Sequence, residues 1–132
     1  MRFLALDLGR KHTGVAFFDE RTGVPIPLET IHHEDDEELV ERVSILASER
    51  SIDAFVIGLP YLPGGKEGEQ ARFVRDIAKK LCEACPWAEL HFIDERYSGG
   101  DDAKAALEVL GAFLERIRNQ ELRMKKKNIP NS

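Results

Sequence analysis

The chain has 132 residues, 42% of them hydrophobic and 33% charged, a composition that excludes a disordered chain and favours a folded domain. No apolar run is long enough to cross a bilayer. The net charge of −5 does not indicate a nucleic-acid binder, although a local basic patch would outweigh that total. The start of the sequence lacks the pattern of a signal peptide, so a cytoplasmic protein is expected.

The first quarter of the sequence predicts an antiparallel meander. Residues 2–8 have the composition of a buried strand, residues 13–18 of a second strand and residues 24–31 of a third. The polar segment 19–23 ends in glycine and is typical of a hairpin connection between the last two strands.

The remaining sequence alternates between helical and strand patterns. Apolar residues at helical spacing predict helices over 35–50, over 69–84 and from about residue 100 onward. Short apolar runs predict strands over 52–59 and 89–93.

These elements predict a single α/β domain over residues 1–132. A meander followed by alternating strands and helices gives one mixed sheet with helices on its faces. The basic, polar segment 123–132 is expected to be a loose tail.

Acidic residues stand at the carboxyl ends of two predicted strands. Asp7 interrupts the apolar run LALDLG, and Asp94 and Glu95 follow the strand over 89–93. A buried carboxylate needs a partner, and sites in such sheets form beyond the strand ends. Converging carboxylates suit Mg²⁺, and two such ions can activate water against a phosphodiester. On this interpretation Asp7 bridges the metals, Asp94 or Glu95 supplies the next ligand, and Arg96 steers phosphate or pairs with an acid.

The same acids also have an ordinary structural interpretation. An aspartate at a strand end is often a turn or cap residue, and Asp94, Glu95 and Arg96 could form a solvated ion pair. Strand alternation places Asp94 and Glu95 on opposite sides of the sheet. Because both aspartates stand at strand carboxyl ends, we expect the carboxylates of Asp7 and Asp94 to lie close enough to share a metal, with Glu95 nearby or on the other face of the sheet.

Five segments stand in a recognisable order and spacing. They are Leu6-Asp7-Leu8-Gly9, Thr13-Gly14-Val15-Ala16, Val56-Ile57-Gly58-Leu59-Pro60, Gly65-Lys66-Glu67 and Asp94-Glu95-Arg96-Tyr97-Ser98. Together they resemble the YqgF/RuvX family over most of the chain, from about residue 2 to about residue 111. The resemblance implies the RNase H-like fold of Holliday-junction resolvases, with a five-stranded mixed sheet. It also implies a Mg²⁺-dependent nuclease that matures the 5′ end of 16S rRNA, with Mn²⁺ as the alternative ion.

One part of the family pattern is not evident. The pattern continues, after a basic loop, into a final helix that opens with an aspartate and small apolar residues, and that aspartate is the last metal ligand. Here the basic segment leads to Asn131 roughly where the acid is expected. Asp101 and Asp102 are the candidates to replace it, although their place at a helix start favours capping. The sequence therefore predicts a shortened chain or an incomplete site, with weak Mg²⁺ binding and low or absent cleavage.

Basic residues near the predicted site are candidates for binding pre-rRNA or branched DNA. Arg10 and Lys11 follow the first strand directly, and Lys66 and Arg72 flank the same end of the sheet. A solvated turn explains Arg10 and Lys11 equally well, whereas a lysine run on a flexible segment is the stronger signal. The full set is Arg10, Lys11, Lys66, Arg72, Arg96, Lys125, Lys126 and Lys127.

Two functions stay open: a metal-dependent nuclease, and a catalytically weak or inactive nucleic-acid-binding module on the same fold. An actin-like ATPase is excluded, because 132 residues cannot hold the second domain that closes over a nucleotide. Monomer and homodimer are both compatible with the sequence.

Cys82 and Cys85 form a C-x-x-C at a predicted helix end without further zinc ligands, which favours ordinary half-buried cysteines.

Overall fold

The computed structural model describes residues 1–95 and 102–128, including their side chains except at 102, 103 and 126–128. The strands are β1 (Arg2–Asp7), β2 (His12–Asp19), β3 (Ile26–Pro27), β4 (Ile31–His32), β5 (Ala54–Pro60) and β6 (Glu89–Glu95). The helices are α1 (Asp36–Glu49), α2 (Glu69–Ala84) and α3 (Asp102–Asn128). Their order confirms the predicted meander followed by alternating strands and helices.

The strands form one mixed sheet in the order β3-β2-β1-β5-β6, with β4 also paired to β2. Strand β1 is antiparallel to β2 and parallel to β5, and β5 is parallel to β6. Parallel strands end at the same edge of a sheet, so the carboxyl ends of β1, β5 and β6 lie side by side. The sheet of the described residues has six strands where five were expected.

The additional strand arises because the predicted strand over 24–31 is divided in two. Ile26 pairs with Phe17 in β3, and Ile31 pairs with Thr13 in β4. Pro25 and Pro27 have no backbone N–H to donate, so this segment cannot sustain a continuous ladder.

Helices cover both faces of the sheet. On one face, α1 and α2 pack against a core that includes Leu4, Leu6 and Ile57. On the other face, α3 packs against Phe3, Ala5, Val56 and Ile93, among others. The alternation of side chains along each strand thus divides the buried strand residues between two cores, and the two sides of the sheet are called here the α1/α2 face and the α3 face.

Helix α3 runs antiparallel to β1 and β5. The ring of Phe113 lies 5.3 Å from that of Phe3, near the start of β1. Earlier in the helix, Val109 packs beside Gly58, near the end of β5. The first turn of α3 therefore lies at the edge where β1, β5 and β6 end.

The expected loose tail is wrong for residues 123–128, which form the last turns of α3. This segment consists mainly of arginine, methionine and lysine, which favour helix, and it contains neither glycine nor proline. Residues 129–132, including Asn131, lie outside the described part of the chain.

Candidate active site

A cleft of about 260 Å³ opens where β1, β5 and β6 end. Its lining combines two carboxylates, two glycines, a histidine and an amide with apolar side chains. The lining residues are Asp7, Leu8, Gly9, His12, Gly58, Pro60, Gln70, Val74 and Glu95. The cleft lies at the position that the sequence predicted, because sites in such sheets form beyond the strand ends.

Asp7 and Glu95 lie on the α3 face of the sheet. Asp7 follows Phe3 and Ala5 at two-residue spacing, and both of those residues belong to the core beneath α3. Glu95 stands two residues after Ile93, which belongs to the same core. Gly58 lies between them on β5, and a Cβ at Gly58 would overlap Glu95 Oε2. The carboxylate of Glu95 thus folds over the glycine toward Asp7.

Asp94 is not on this face. It follows Leu90 and Phe92 at two-residue spacing, and both pack against the core beneath α1 and α2. Its side chain is exposed, whereas Glu95 is partly buried. The expectation that Asp7 and Asp94 share a metal therefore does not fit the register of β6, which presents Glu95 to Asp7 instead.

The Glu95 carboxyl has an unusual charge environment. Burial, followed by repulsion from Asp7 and Glu108, raises the pKa of Glu95 to about 7. Glu108 lies on α3, so acidic groups from β1, β6 and α3 act on one another at this edge. Such a group of negative charges favours either a proton or a bound cation.

Backbone and side-chain contacts fix the turn that follows Asp7. A Cβ at Gly9 would overlap the carbonyl oxygen of His12, so the tight turn requires glycine there. The amide of Gln70 on α2 donates to the carbonyl of Leu8 at 3.2 Å. Thr13, fully buried, accepts from the Gly9 N–H at 3.5 Å. These contacts connect the turn to α2 and β2.

Several of the predicted nucleic-acid-binding residues lie at the edge of the sheet that carries the cleft. Arg10 and Lys11 are exposed in the turn between β1 and β2, and the Arg10 guanidinium lies 4.9 Å above the Phe73 ring of α2. Arg72 is exposed on the first turns of α2, and Lys66 is exposed in the loop before it. These four cations share one side of the molecule with Asp7.

The remaining predicted cations do not join this group. Arg96 lies outside the described residues. Lys125 is exposed near the far end of α3, 16 residues beyond Val109, which corresponds to about 24 Å along the helix. Positions 126 and 127 continue the same helix away from the cleft.

The start of α3 offers candidates for the last acidic metal ligand of the family pattern. Asp101 lies outside the described residues, but Asp102 is the first residue of α3. Ala106, Val109 and Phe113 form the stripe of α3 that packs against the sheet. Position 102 stands one turn before Ala106 and continues this stripe. This helix opens with an aspartate and small apolar residues, the feature that sequence reasoning placed further along the chain.

The structure adds site residues that sequence reasoning did not select as functional. Gly58 lies within the predicted strand over 52–59, and a glycine in an apolar strand often marks a close approach by another group. Gln70 and Glu108 carried no local signal, because their proximity to the cleft follows from the packing of α2 and α3. Within the described residues, no three histidine, cysteine, aspartate or glutamate side chains are grouped as a metal site.

Neither Cys82 nor Cys85 is in a disulfide, and Cys85 is buried where α2 ends. None of the helices in the described ranges is long and apolar enough to cross a membrane.

The sheet order, the two helical layers and the acids at the strand ends define an RNase H-like fold. The RuvC of Thermus thermophilus, solved in complex with a Holliday-junction substrate, superimposes with a TM-score of 0.56 at 15% identity, covering 72% of this chain and 66% of that one. A family model described as "RuvX: Holliday junction resolvase" matches residues 1–121. The chain belongs to the RuvX family, as the resemblance predicted.

Relatives within the family carry a more specific name. A protein of Sulfurihydrogenibium sp. named "Putative pre-16S rRNA nuclease" is 37% identical over 108 residues, which are 81% of this chain and 73% of that protein. A protein of Rhodobacter capsulatus with the same name is 38% identical over 117 residues, 89% of this chain and 71% of that protein.

Proposed function

We propose that this chain is a divalent-metal-dependent nuclease that hydrolyses phosphodiester bonds near the 5′ end of precursor 16S rRNA in the cytoplasm. The observation that carries the proposal is the placement of Glu95 over Gly58 toward Asp7, in a cleft at the strand ends. The names of the relatives support the choice of rRNA as the substrate.

The donor set fits a hard cation. Asp7 and Glu95 offer carboxylate oxygens, which are the ligands that Mg²⁺ and Mn²⁺ accept. Burial first, and then repulsion from Asp7 and Glu108, raise the pKa of Glu95, and a bound cation would lower it. When bound, the ion would supply Lewis-acid activation of a water molecule and of the phosphodiester oxygens.

The protein groups around the acids bind and orient the substrate. Gly58 leaves the space in which the Glu95 carboxylate lies, and Gly9 keeps the neighbouring turn narrow enough for a phosphate to approach. Arg10, Lys11, Lys66 and Arg72 contribute positive charge on the same side of the molecule and bind the phosphate backbone.

Asp102 is our candidate for the third acid. It begins a helix whose buried stripe packs beside Gly58 and whose Glu108 already repels Glu95. A third carboxylate would raise the negative charge enough to hold an ion more tightly than Asp7 and Glu95 alone. Asp94 has no part in this set, because β6 presents it to the opposite face.

The second candidate function is a nucleic-acid-binding module without cleavage. It is favoured by one observation: in the described residues the cleft is lined by two acids, Asp7 and Glu95, which suffice to hold one Mg²⁺ weakly. Binding of a precursor fragment without cleavage would support this function over the nuclease.

The test is cleavage of a labelled 16S precursor fragment that retains its 5′ extension, with a four-way DNA junction as the alternative substrate. Mg²⁺ should support cleavage by the unaltered chain, and EDTA should abolish it. Asp7→Asn and Glu95→Gln should also abolish it, which excludes a contaminating nuclease. Cleavage that persists in Asp7→Asn would contradict the proposal.

A further inference from the structure

The last part of α3 projects beyond the sheet. Ile117 and Gln120 line a cavity together with Met1 and Glu89, which stand at the edge opposite to the cleft. The helix nevertheless continues to Asn128, and every residue over 121–125 is exposed. These turns therefore have no core to cover in the described part of the chain.

This projecting end is basic although the chain as a whole is acidic. Residues 118–128, called here the α3 end, contain one acid against five bases, whereas the complete chain has a net charge of −5. The charged residues of the α3 end are Arg118, Glu121, Arg123, Lys125, Lys126 and Lys127. Such an asymmetry indicates a partner with negative charge.

Helix stability does not account for the whole pattern. Cations in a last turn offset the helix dipole, which explains Lys125 and the lysines after it. Arg118 and Arg123 stand before the last turn and need another explanation. Glu121 and Lys125 have the spacing and order that stabilise an exposed helix, so the cations of the α3 end stand on a helix and not on an irregular segment.

We propose that the α3 end is a second contact for the phosphate backbone of the nucleic-acid substrate, remote from the cleft. This inference rests on one part of the proposed function, namely that the chain binds nucleic acid. Val109 packs beside Gly58, and Lys125 follows 16 residues later, about 24 Å along the helix. A nucleic-acid duplex rises by about 3 Å per base pair, so both contacts are made only when it extends about eight base pairs from the acids.

The test compares two double variants that remove the same charge. Lys125→Ala/Lys126→Ala alters the α3 end, and Lys79→Ala/Lys80→Ala removes two exposed cations from α2 on the other face of the sheet. Binding of labelled RNA duplexes of about five and about twenty base pairs, each closed by a hairpin loop, is measured by fluorescence anisotropy in EDTA over a series of salt concentrations. Thermal unfolding confirms that each variant is folded.

For the long duplex, the α3-end variant should lose about ten-fold in affinity, and its log–log salt slope should fall by about two. The short duplex should show less than about a two-fold change, and the α2 variant should resemble the unaltered chain with both duplexes. An unchanged slope with the long duplex, or equal losses in the two variants, would overturn the proposal.

The two proposals fail separately. If the chain never cleaves but shows the effect of duplex length on binding, the nuclease proposal is contradicted and the proposal of a second contact is supported. If the chain cleaves in an Asp7-dependent manner but both double variants bind long duplexes equally well, the nuclease proposal is supported and the proposal of a second contact is contradicted.

Discussion

The carboxylate of Glu95 occupies the space that a side chain at Gly58 would fill. A Cβ at position 58 would overlap Glu95 Oε2 and would also meet Val109 of α3. The glycine on the central β5 therefore determines where an acid of the edge strand β6 can lie, and it brings that acid toward Asp7 on β1.

Gly58→Ala should weaken Mg²⁺ binding by about ten-fold or more, because the methyl group displaces Glu95 while leaving the acid itself in place. Binding can be followed through the amide resonances of residues near Asp7. Gly111→Ala is the matched control, since a Cβ there would meet nothing within 4 Å. The control should bind Mg²⁺ normally and gain up to about 1 kcal/mol of stability from helix propensity. Equal Mg²⁺ affinity in both variants would show that Gly58 does not position Glu95.

Asp102→Asn should reduce cleavage of the precursor fragment by about ten- to a hundred-fold. Losing a residue that only supports a metal ligand typically has an effect of this size, and losing a ligand should have at least as large an effect. The physical reason is the loss of one negative charge from the acid group at the start of α3. Asp36→Asn, at the start of α1, is the control for a lost charge at a helix N-terminus. If Asp102→Asn cleaves as well as the control does, Asp102 is a capping residue and no ligand.

Arg10→Ala should lower nucleic-acid affinity and reduce the salt slope by about one. Its guanidinium is held above Phe73, so the charge stands in a defined place at the edge that carries the cleft. Arg21→Ala removes an exposed cation from the turn after β2 and serves as the control. A salt slope that is the same in the unaltered chain and in Arg10→Ala would remove Arg10 from the nucleic-acid interface.

His33 should make the fold sensitive to mild acid. It is 3% exposed, and its Nε2 lies 3.0 Å from Thr13 Oγ1. Burial lowers the pKa of His33, and this outweighs the opposite effects of Glu38 and Asp36. The folded state therefore resists protonation, whereas the unfolded chain takes up the proton near pH 6.5.

Stability should accordingly fall as the pH drops below about 6.5, and His33→Gln should flatten that part of the profile. Urea unfolding between about pH 7.5 and pH 5.5 measures it. His91→Gln, at a partly exposed histidine beside Glu89, should leave the decline in place. If the stability of His33→Gln falls by the same amount as that of the unaltered chain, other titratable groups cause the loss of stability.

Much of this architecture could be predicted from the sequence because its signals are local. The apolar runs, the helical spacing and the acid within LALDLG identified β1, β5, β6 and Asp7. Alternation along β6 predicted that Asp94 and Glu95 lie on opposite faces, but not which of them faces Asp7. That choice depends on Ile93 packing under α3 and Phe92 packing under α2, which are long-range contacts. The last turns of α3 were missed because their basic, polar composition was interpreted as a tail.

The most direct measurement is a Mg²⁺ titration, followed by NMR, of the unaltered chain and three variants: Asp7→Asn, Glu95→Gln and Asp94→Asn. If Asp7 and Glu95 hold the ion together, their variants should lose the shifts that Mg²⁺ produces at the strand ends. Asp94→Asn should retain them with the affinity of the unaltered chain, because its side chain lies on the other face. Loss of the shifts in Asp94→Asn together with normal binding by Glu95→Gln would contradict the assignment.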